Sequence, residues 1–274
     1  MQKITNKMLR FISFGSGSSG NCYYLYTETE GLIIDIGVGL RTLKKHFRDF
    51  GLSLSSVHHV LITHDHADHI KSVGSIGNEL HLPVYATLDV HKGIDRNYCV
   101  QRKLASSMKC MVVPGEPLDL GEFHITPFSV PHDASENVGY QIEVQGVTFC
   151  IITDAGEITS EIGSYISRAD YLVIEANHDE EMLMHGNYPM HLKVRIQSKT
   201  GHLCNKECGK AIAENMTEKL KRVWLCHLSE ENNHPELARK TVEAVLREYG
   251  IIAGKDFELE ILKRNTPTGI FDLL

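Results

Sequence analysis

Positions 63–69 read Thr-His-Asp-His-Ala-Asp-His, so three imidazoles (His64, His66, His69) and two carboxylates (Asp65, Asp68) fall within six positions. The chemistry these side chains share is the binding of divalent cations. Imidazole suits Zn, Mn or Fe, and a carboxylate adds charge and hardness. An extended backbone points His64 and His66 the same way, and Asp68 and His69 can then turn toward a second ion. Three further candidates stand alone: His132 in Val-Pro-His-Asp, Asp154 in Ile-Ile-Thr-Asp, and His227 in Val-Trp-Leu-Cys-His. Taken singly, His132 or His227 reads as a surface or satisfied core histidine. Taken with the cluster, they read as ligands.

Each candidate follows an apolar run of strand length, and a strand end is a rigid place to present a ligand. The runs are Val57 to Thr63 before the cluster, the alternating segments between Met111 and Ile152 before His132 and Asp154, and Arg222 to Cys226 before His227. The start of the chain reads as three strands, Leu9 to Phe14, Cys22 to Thr27 and Gly31 to Ile36, the first two separated by Gly-Ser-Gly-Ser-Ser-Gly-Asn. Leu40, Leu43, Lys44 and Phe47 have helical spacing, and Gly51 is a natural stop. Helices are also expected over Glu157 to Ser167, Cys204 to Glu218 and Pro235 to Tyr249, with strands over Tyr171 to Glu175 and Phe257 to Leu262. Strands and helices in both halves predict an α/β (α+β) fold of four layers, αββα, with two packed mixed sheets flanked by helices. A single domain over residues 1–274 is expected.

The composition fits that reading. Hydrophobic residues make up 42% of the 274 residues and charged residues 23%, which argues against a disordered or fibrous chain. The net charge of -7 argues against broad electrostatic wrapping of duplex DNA, although bound cations would offset part of it. The longest apolar runs are strand-sized, so no membrane span is expected. No targeting segment is visible, and the seven cysteines show no disulfide-like framework, so a reducing, cytoplasmic setting is expected. Cys204 and Cys208 have zinc-like spacing but lack a second Cys/His pair to complete a structural site. His178, His185, His191 and His234 read as surface residues.

The segment His-Asp-His-Ala-Asp-His resembles the HxHxDH signature of the metallo-β-lactamase superfamily, and Asp35, His132, Asp154 and His227 match that family's remaining motifs in order. The resemblance implies two divalent ions, Zn or Mn. His64, His66 and His132 would hold one and Asp68, His69 and His227 the other, with Asp154 bridging and Asp35 orienting the ligands. Within the superfamily the chain resembles the YycJ-like (WalJ-like) nuclease group in Phe-Gly-Ser-Gly-Ser-Ser-Gly-Asn, in Gly201 to Asn205, and in Leu228 to Asn233. This implies a metal-dependent phosphodiesterase or nuclease, a 5′-to-3′ DNA exonuclease, in which Glu175 orients His202 beside the metals. Two departures are Asn137, where proline is expected and a change in loop stiffness follows, and Cys204, where serine is expected.

The expected chemistry has a water shared by the two ions losing its proton near neutrality and attacking phosphorus in line. Asp68 and Asp154 would hold the ions and accept that proton, and His202 would serve near the leaving group as acid or charge stabiliser. Phosphate contacts are expected from Ser18 and Asn21 of the glycine-rich turn, and from Lys206 within the basic stretch Lys193, Arg195, Lys199, Lys206 and Lys210 at a helix N-terminus. The elements between Asp154 and His227 leave no room for a large inserted substrate clamp, so binding would rely on the core domain, its loops or a second subunit in a homo-oligomer. Two rival readings stand. One is another hydrolase of this fold acting on a small-molecule ester, thioester or lactam. The other is a non-catalytic nucleic-acid-binding or regulatory module, which should have lost ligands.

Overall fold

A computed structural model describes residues 7–274. The first sheet is built from β1 (Arg10–Gly15), β2 (Cys22–Tyr26), β3 (Gly31–Ile34), β4 (Val57–Leu61), β5 (Val84–Ala86) and β6 (Lys109–Met111). The second contains β7 (Leu118–Leu120), β8 (Phe123–Ser129), β9 (Val138–Val144), β10 (Val147–Ile152), β11 (Tyr171–Glu175), β12 (Arg222–Cys226) and β13 (Glu258–Ile261). The chain then returns to the first sheet, where β14 (Phe271–Asp272) pairs with β1. Each sheet is mixed. Antiparallel pairing joins β1 to β2, β2 to β3, and β7, β8, β9 and β10 in succession, while β3–β6 and β10–β13 run parallel.

Period-two burial explains why two sheets must pack. Phe11, Tyr23, Leu25 and Ile34 from the first sheet meet Ile125, Tyr140, Phe149 and Trp224 from the second in one apolar layer. The opposite face of the first sheet is covered by α1 (Leu40–Asp49), α3 (Val73–Leu80) and α4 (Leu88–Arg96), with the short α2 (Ala67–Ile70) lying between α1 and α3 in the chain. The opposite face of the second is covered by α5 (Ser160–Ile166), α8 (Asn205–Asn215) and α9 (Pro235–Glu248), with α6 (Glu180–His185) and α7 (Met190–Ile196) preceding α8. This is the expected αββα arrangement. Among the described residues no helix is long and apolar enough to cross a membrane.

The two sheets are also joined at the end where the candidate ligands gather. Tyr140 Oη donates to the carbonyl of Ile62 at 2.7 Å, and the Val138 amide donates to that of Thr63 at 3.1 Å. Several elements differ from expectation. The strand before the cluster ends at Leu61, and His58 and His59 on it are half-buried, not core. Asp68 and His69 lie on a short helical turn, α2, that is not anticipated from the sequence. The helix expected from Glu157 starts at Ser160, because Thr159 caps it by accepting the Ile162 amide. The sequence pattern does not announce α2 to α4, α6 and α7, which are too short or too irregularly patterned to show a clear apolar face.

Candidate metal centre

Three of the candidate residues occupy strained backbone. Asp35, Asp154 and His227 each follow the last residue of a strand or lie one beyond it, with φ of 59°, 54° and 52°. A non-glycine residue there is uncommon and is held only when its surroundings over-determine it. The turn after each strand throws the side chain inward across the sheet ends.

Asp35 is fully buried and makes three bonds. It accepts the Thr63 amide at 2.8 Å, the Thr63 hydroxyl at 2.9 Å and His69 Nδ1–H at 2.7 Å. Because Thr63 Oγ1 donates to Asp35, it accepts from His64 Nδ1 at 3.0 Å. His132 Nδ1–H donates to the Gly201 carbonyl at 3.0 Å, and His227 Nδ1–H to Glu175 at 2.9 Å. Four imidazoles thus have their Nδ1 spoken for and present Nε2 inward, which is how outer partners fix the tautomer of a metal-binding histidine.

The inward atoms fit cations. His64 Nε2 is buried without a hydrogen-bond partner, and such an orphan in a native site calls for an unseen partner. His66 Nδ1 and His132 Nε2 face each other at 3.3 Å, a close approach of two ring nitrogens that a shared ion would reconcile. Ligand atoms of His64, His66 and His132 lie within 4.8 Å of one another, as do those of Asp68, His69 and His227. Asp154 lies between the two groups, with Oδ2 at 3.3 Å from His69 Nε2 and Oδ1 at 3.8 Å from His132 Nε2.

The electrostatics agree. Burial and the neighbouring imidazolium of His69 push His64 well below the usual histidine range, and burial also lowers His132. Burial opposes a proton on His69 too, but the carboxylates of Asp35, Asp154 and Asp68 outweigh it and raise it to about 10. Burial acts the same way on His227, and Asp154, Asp68 and Glu175 carry it well above its ordinary value. Burial alone would raise the Asp154 carboxyl, yet His227 and His69 hold it well below the usual carboxylate range. One half of the pocket therefore offers neutral imidazoles, and the other half offers carboxylates that demand positive charge.

Glu175, fully buried at the end of β11, ties the centre to the next loop. Its Oε1 accepts His202 Nδ1–H at 2.8 Å as well as His227, and its Oε2 accepts the amides of Ala155 at 2.9 Å and Leu203 at 3.3 Å. The His202 side chain is 16% exposed and lies beside His132, with ring centroids 5.0 Å apart. Despite burial, Glu175 raises the pKa of His202.

The expected phosphate contacts are placed differently. Ser18 is exposed, while its neighbour Ser16 is buried and accepts the His227 amide at 3.0 Å. Asn21 is fully buried. Its side-chain amide meets His69 Nε2 at 2.9 Å and Asp68 Oδ2 at 3.2 Å, so it braces two candidate ligands instead of facing solvent. Lys206 is ion-paired to Glu180 at 2.7 Å. The rest of the basic stretch is committed too. Lys193 is buried on the carbonyls of Met184 and Gly186, Arg195 pairs with Asp133, Lys199 with Glu157, and Lys210 with Glu214. A charge run read from sequence cannot show that its counter-charges lie on other loops.

Cys204 and Cys208 are buried on or beside α8, where Cys204 Sγ caps the helix by accepting the Glu207 amide, and no metal-binding group among the described residues includes them. His185, His191 and His234 are exposed as expected, but His178 is not: it is 2% exposed and its Nδ1 has no partner. Sequence reasoning also misses Thr63, Ser16, Asn177 and the bonding role of Asn137. Asn177 donates to the His227 carbonyl at 2.9 Å. Asn137 is buried and donates to the Asp154 carbonyl at 2.9 Å, so this departure does more than alter loop stiffness: proline could not make that bond. Only Thr63, adjacent to His64, carries a local signal.

A family model described as the beta-lactamase superfamily domain matches residues 32–228. Over 262 residues the chain is 34% identical to "Exodeoxyribonuclease YycJ" of Bacillus anthracis, covering 96% of this chain and 98% of that protein. It is 31% identical to "Exodeoxyribonuclease WalJ" of Streptococcus pneumoniae over 264 residues, with the same coverage of 96% and 98%. Among solved structures, the metallo-β-lactamase-fold protein YhfI of Bacillus subtilis superimposes with a TM-score of 0.69 at 19% identity, covering 96% of this chain and 99% of that one.

Proposed function

Because the chain belongs to the beta-lactamase superfamily, whose fold implies divalent-metal binding, we propose that it is a dinuclear-metal-dependent DNA exonuclease acting in the 5′-to-3′ direction, within one domain spanning residues 1–274. Its ions are Zn or Mn, because the donor set mixes imidazoles with carboxylates. Near-full-length likeness to two exodeoxyribonucleases supports the substrate class. The observation that carries the reaction type is His202, hung by Glu175 beside the ligand cluster.

When bound, the two ions would acidify water and stabilise charge on the attacking and leaving oxygens of a phosphodiester. His64, His66 and His132 would hold one and Asp68, His69 and His227 the other, with Asp154 between them. Asp35 and Glu175 keep the imidazoles in the tautomers that present Nε2. Asp68, partly exposed beside His227, accepts the proton released by the attacking water. His202 has Nδ1 engaged by Glu175, so its Nε2 donates toward the leaving oxygen.

The test is a cleavage assay. Protein loaded with Mn²⁺ or Zn²⁺ is offered end-labelled single- and double-stranded DNA and RNA, beside an Asp68→Ala/His69→Ala control. Release of nucleotides from the 5′ end of DNA, absent in the control, is the expected result. Failure to cleave any nucleic acid with two metals bound would redirect the assignment to a small-molecule ester, thioester or lactam hydrolase.

A further inference from the structure

With Arg195, Lys199, Lys206 and Lys210 each facing a carboxylate, unpaired positive charge near the candidate centre lies elsewhere. A cleft of about 280 Å³ opens beside the glycine-rich turn, lined by Ser19, Gly39, Thr42, His46, Lys71 and Arg264, and its lining contains no carboxylate. The chain's net charge is -7, yet this cleft is lined by cations and free of acids. Among the described residues neither Lys71 nor Arg264 is ion-paired. Arg264 spends one guanidinium nitrogen on the Ser229 carbonyl.

The cleft lies beside the turn that carries two of the candidate ligands. Lys71 caps α2, the turn that carries Asp68 and His69. The backbone next to the opposite wall, formed by Gly20 and Val38, is bonded to the same turn: the Asn21 amide donates to the Asp68 carbonyl at 2.7 Å, the Ile36 amide to that of His69 at 2.7 Å, and the Gly37 amide to Asn21 at 2.8 Å. A Cβ on Gly37 would overlap the Asp68 carbonyl, so the wall sits as close as a backbone can. The start of α1 also faces the cleft. Its cap, Gly39, supplies no side-chain acceptor, its first turn has no acid, and among the described residues the amides of Leu40, Arg41 and Thr42 meet no acceptor. Free amides with a positive dipole end favour an anion.

We propose that this cleft binds a phosphate group of the nucleic acid strand adjacent to the scissile bond, between Lys71, Arg264 and the first turn of α1. The proposal rests on the nuclease reading above. The group is either an internal phosphodiester or the terminal 5′-phosphate, and the two share the same chemistry.

The test compares wild type, Lys71→Glu, Lys71→Arg and the remote charge control Lys255→Glu, all metal-loaded, on single-stranded DNA bearing a 5′-phosphate or a 5′-hydroxyl. Lys71→Glu should raise KM about tenfold, the worth of one charge-assisted contact, with the greater part of the loss in KM and not kcat. It should also flatten the salt dependence of log KM by about 0.7, as for one lost phosphate contact on a single strand. Lys71→Arg should restore both, and Lys255→Glu should change neither. An effect confined to 5′-phosphorylated strands identifies a terminal phosphate, and an effect on both identifies an internal one. Equal KM for wild type and Lys71→Glu on both strands overturns the proposal. If wild type cleaves no DNA, the nuclease reading fails by itself, and the cleft is then judged with inorganic phosphate. Saturable shifts of the Leu40–Thr42 amide resonances in the Zn-loaded protein, lost in Lys71→Glu, support an anion site there, and their absence in wild type overturns it.

Discussion

Glu175 Oε1 accepts Nδ1–H of His202 at 2.8 Å, and the same oxygen accepts Nδ1–H of His227 at 2.9 Å. One buried carboxylate therefore sets the ring of a candidate metal ligand and the ring of a candidate proton donor together. The two roles separate on mutation. His202→Ala should leave metal content unchanged and lower kcat about a hundredfold, the usual worth of a positioned proton donor. Glu175→Gln should lower kcat and also loosen metal, because His227 loses its anchor. Metal analysis beside steady-state kinetics reads both, and an unchanged rate in His202→Ala with two metals bound would remove His202 from the reaction.

Asp68 and His69 sit on one turn of α2 and point at the same candidate ion. The double alanine variant should bind one equivalent of metal fewer than wild type by elemental analysis, and cleave DNA at least about a thousandfold more slowly. Chelation of the wild type should also lower its melting temperature, because ions that bind only the folded chain stabilise it by mass action. A melting temperature indifferent to chelator would argue that no ion bridges these groups.

Asn137 bonds the carbonyl of Asp154, whose backbone is held at φ 54°. Asn137→Ala should cost about 1 kcal/mol, the net worth of one buried hydrogen bond. It should also weaken metal binding about tenfold, as for a partner that orients a ligand. Urea unfolding and chelator competition measure the two effects independently. Lost stability with unaltered metal affinity would make Asn137 a structural residue only.

His178 is buried, which depresses its pKa to about 4, only partly opposed by Glu175. An unfolded chain binds that proton near pH 6.5. As pH falls from about 6.5 toward 4 the unfolded state gains a proton that the folded state refuses, so stability declines, by up to about 3 kcal/mol. His178→Gln should flatten that part of the acid profile. Urea midpoints between pH 7 and pH 4.5 report the difference, and identical slopes for the two proteins would refute it.

Much of this centre is legible without coordinates. Metal chemistry admits few donor types, and a run as dense in them as His64 to His69, placed directly after an apolar strand, serves little purpose but holding cations. The alternation of buried strands with helical stretches likewise demands two sheets with helices outside, because that packing hides the apolar faces. What the linear order does not carry is pairing across loops. Ser16 and Ser18 are equivalent in a sequence, yet only Ser16 points inward, because the turn's register is set by bonds to distant Arg264 and to Asn21. Lys206 and Arg195 look available until Glu180 and Asp133, from other segments, neutralise them. His178 looks like any polar loop residue until the start of α8 closes over it. Residue type and local pattern therefore determined which groups are the candidates for the chemistry. Which of the remaining polar groups are spent on one another, and which stay free to meet a substrate, was decided by the tertiary structure, because hydrogen bonds and ion pairs form between neighbours in space.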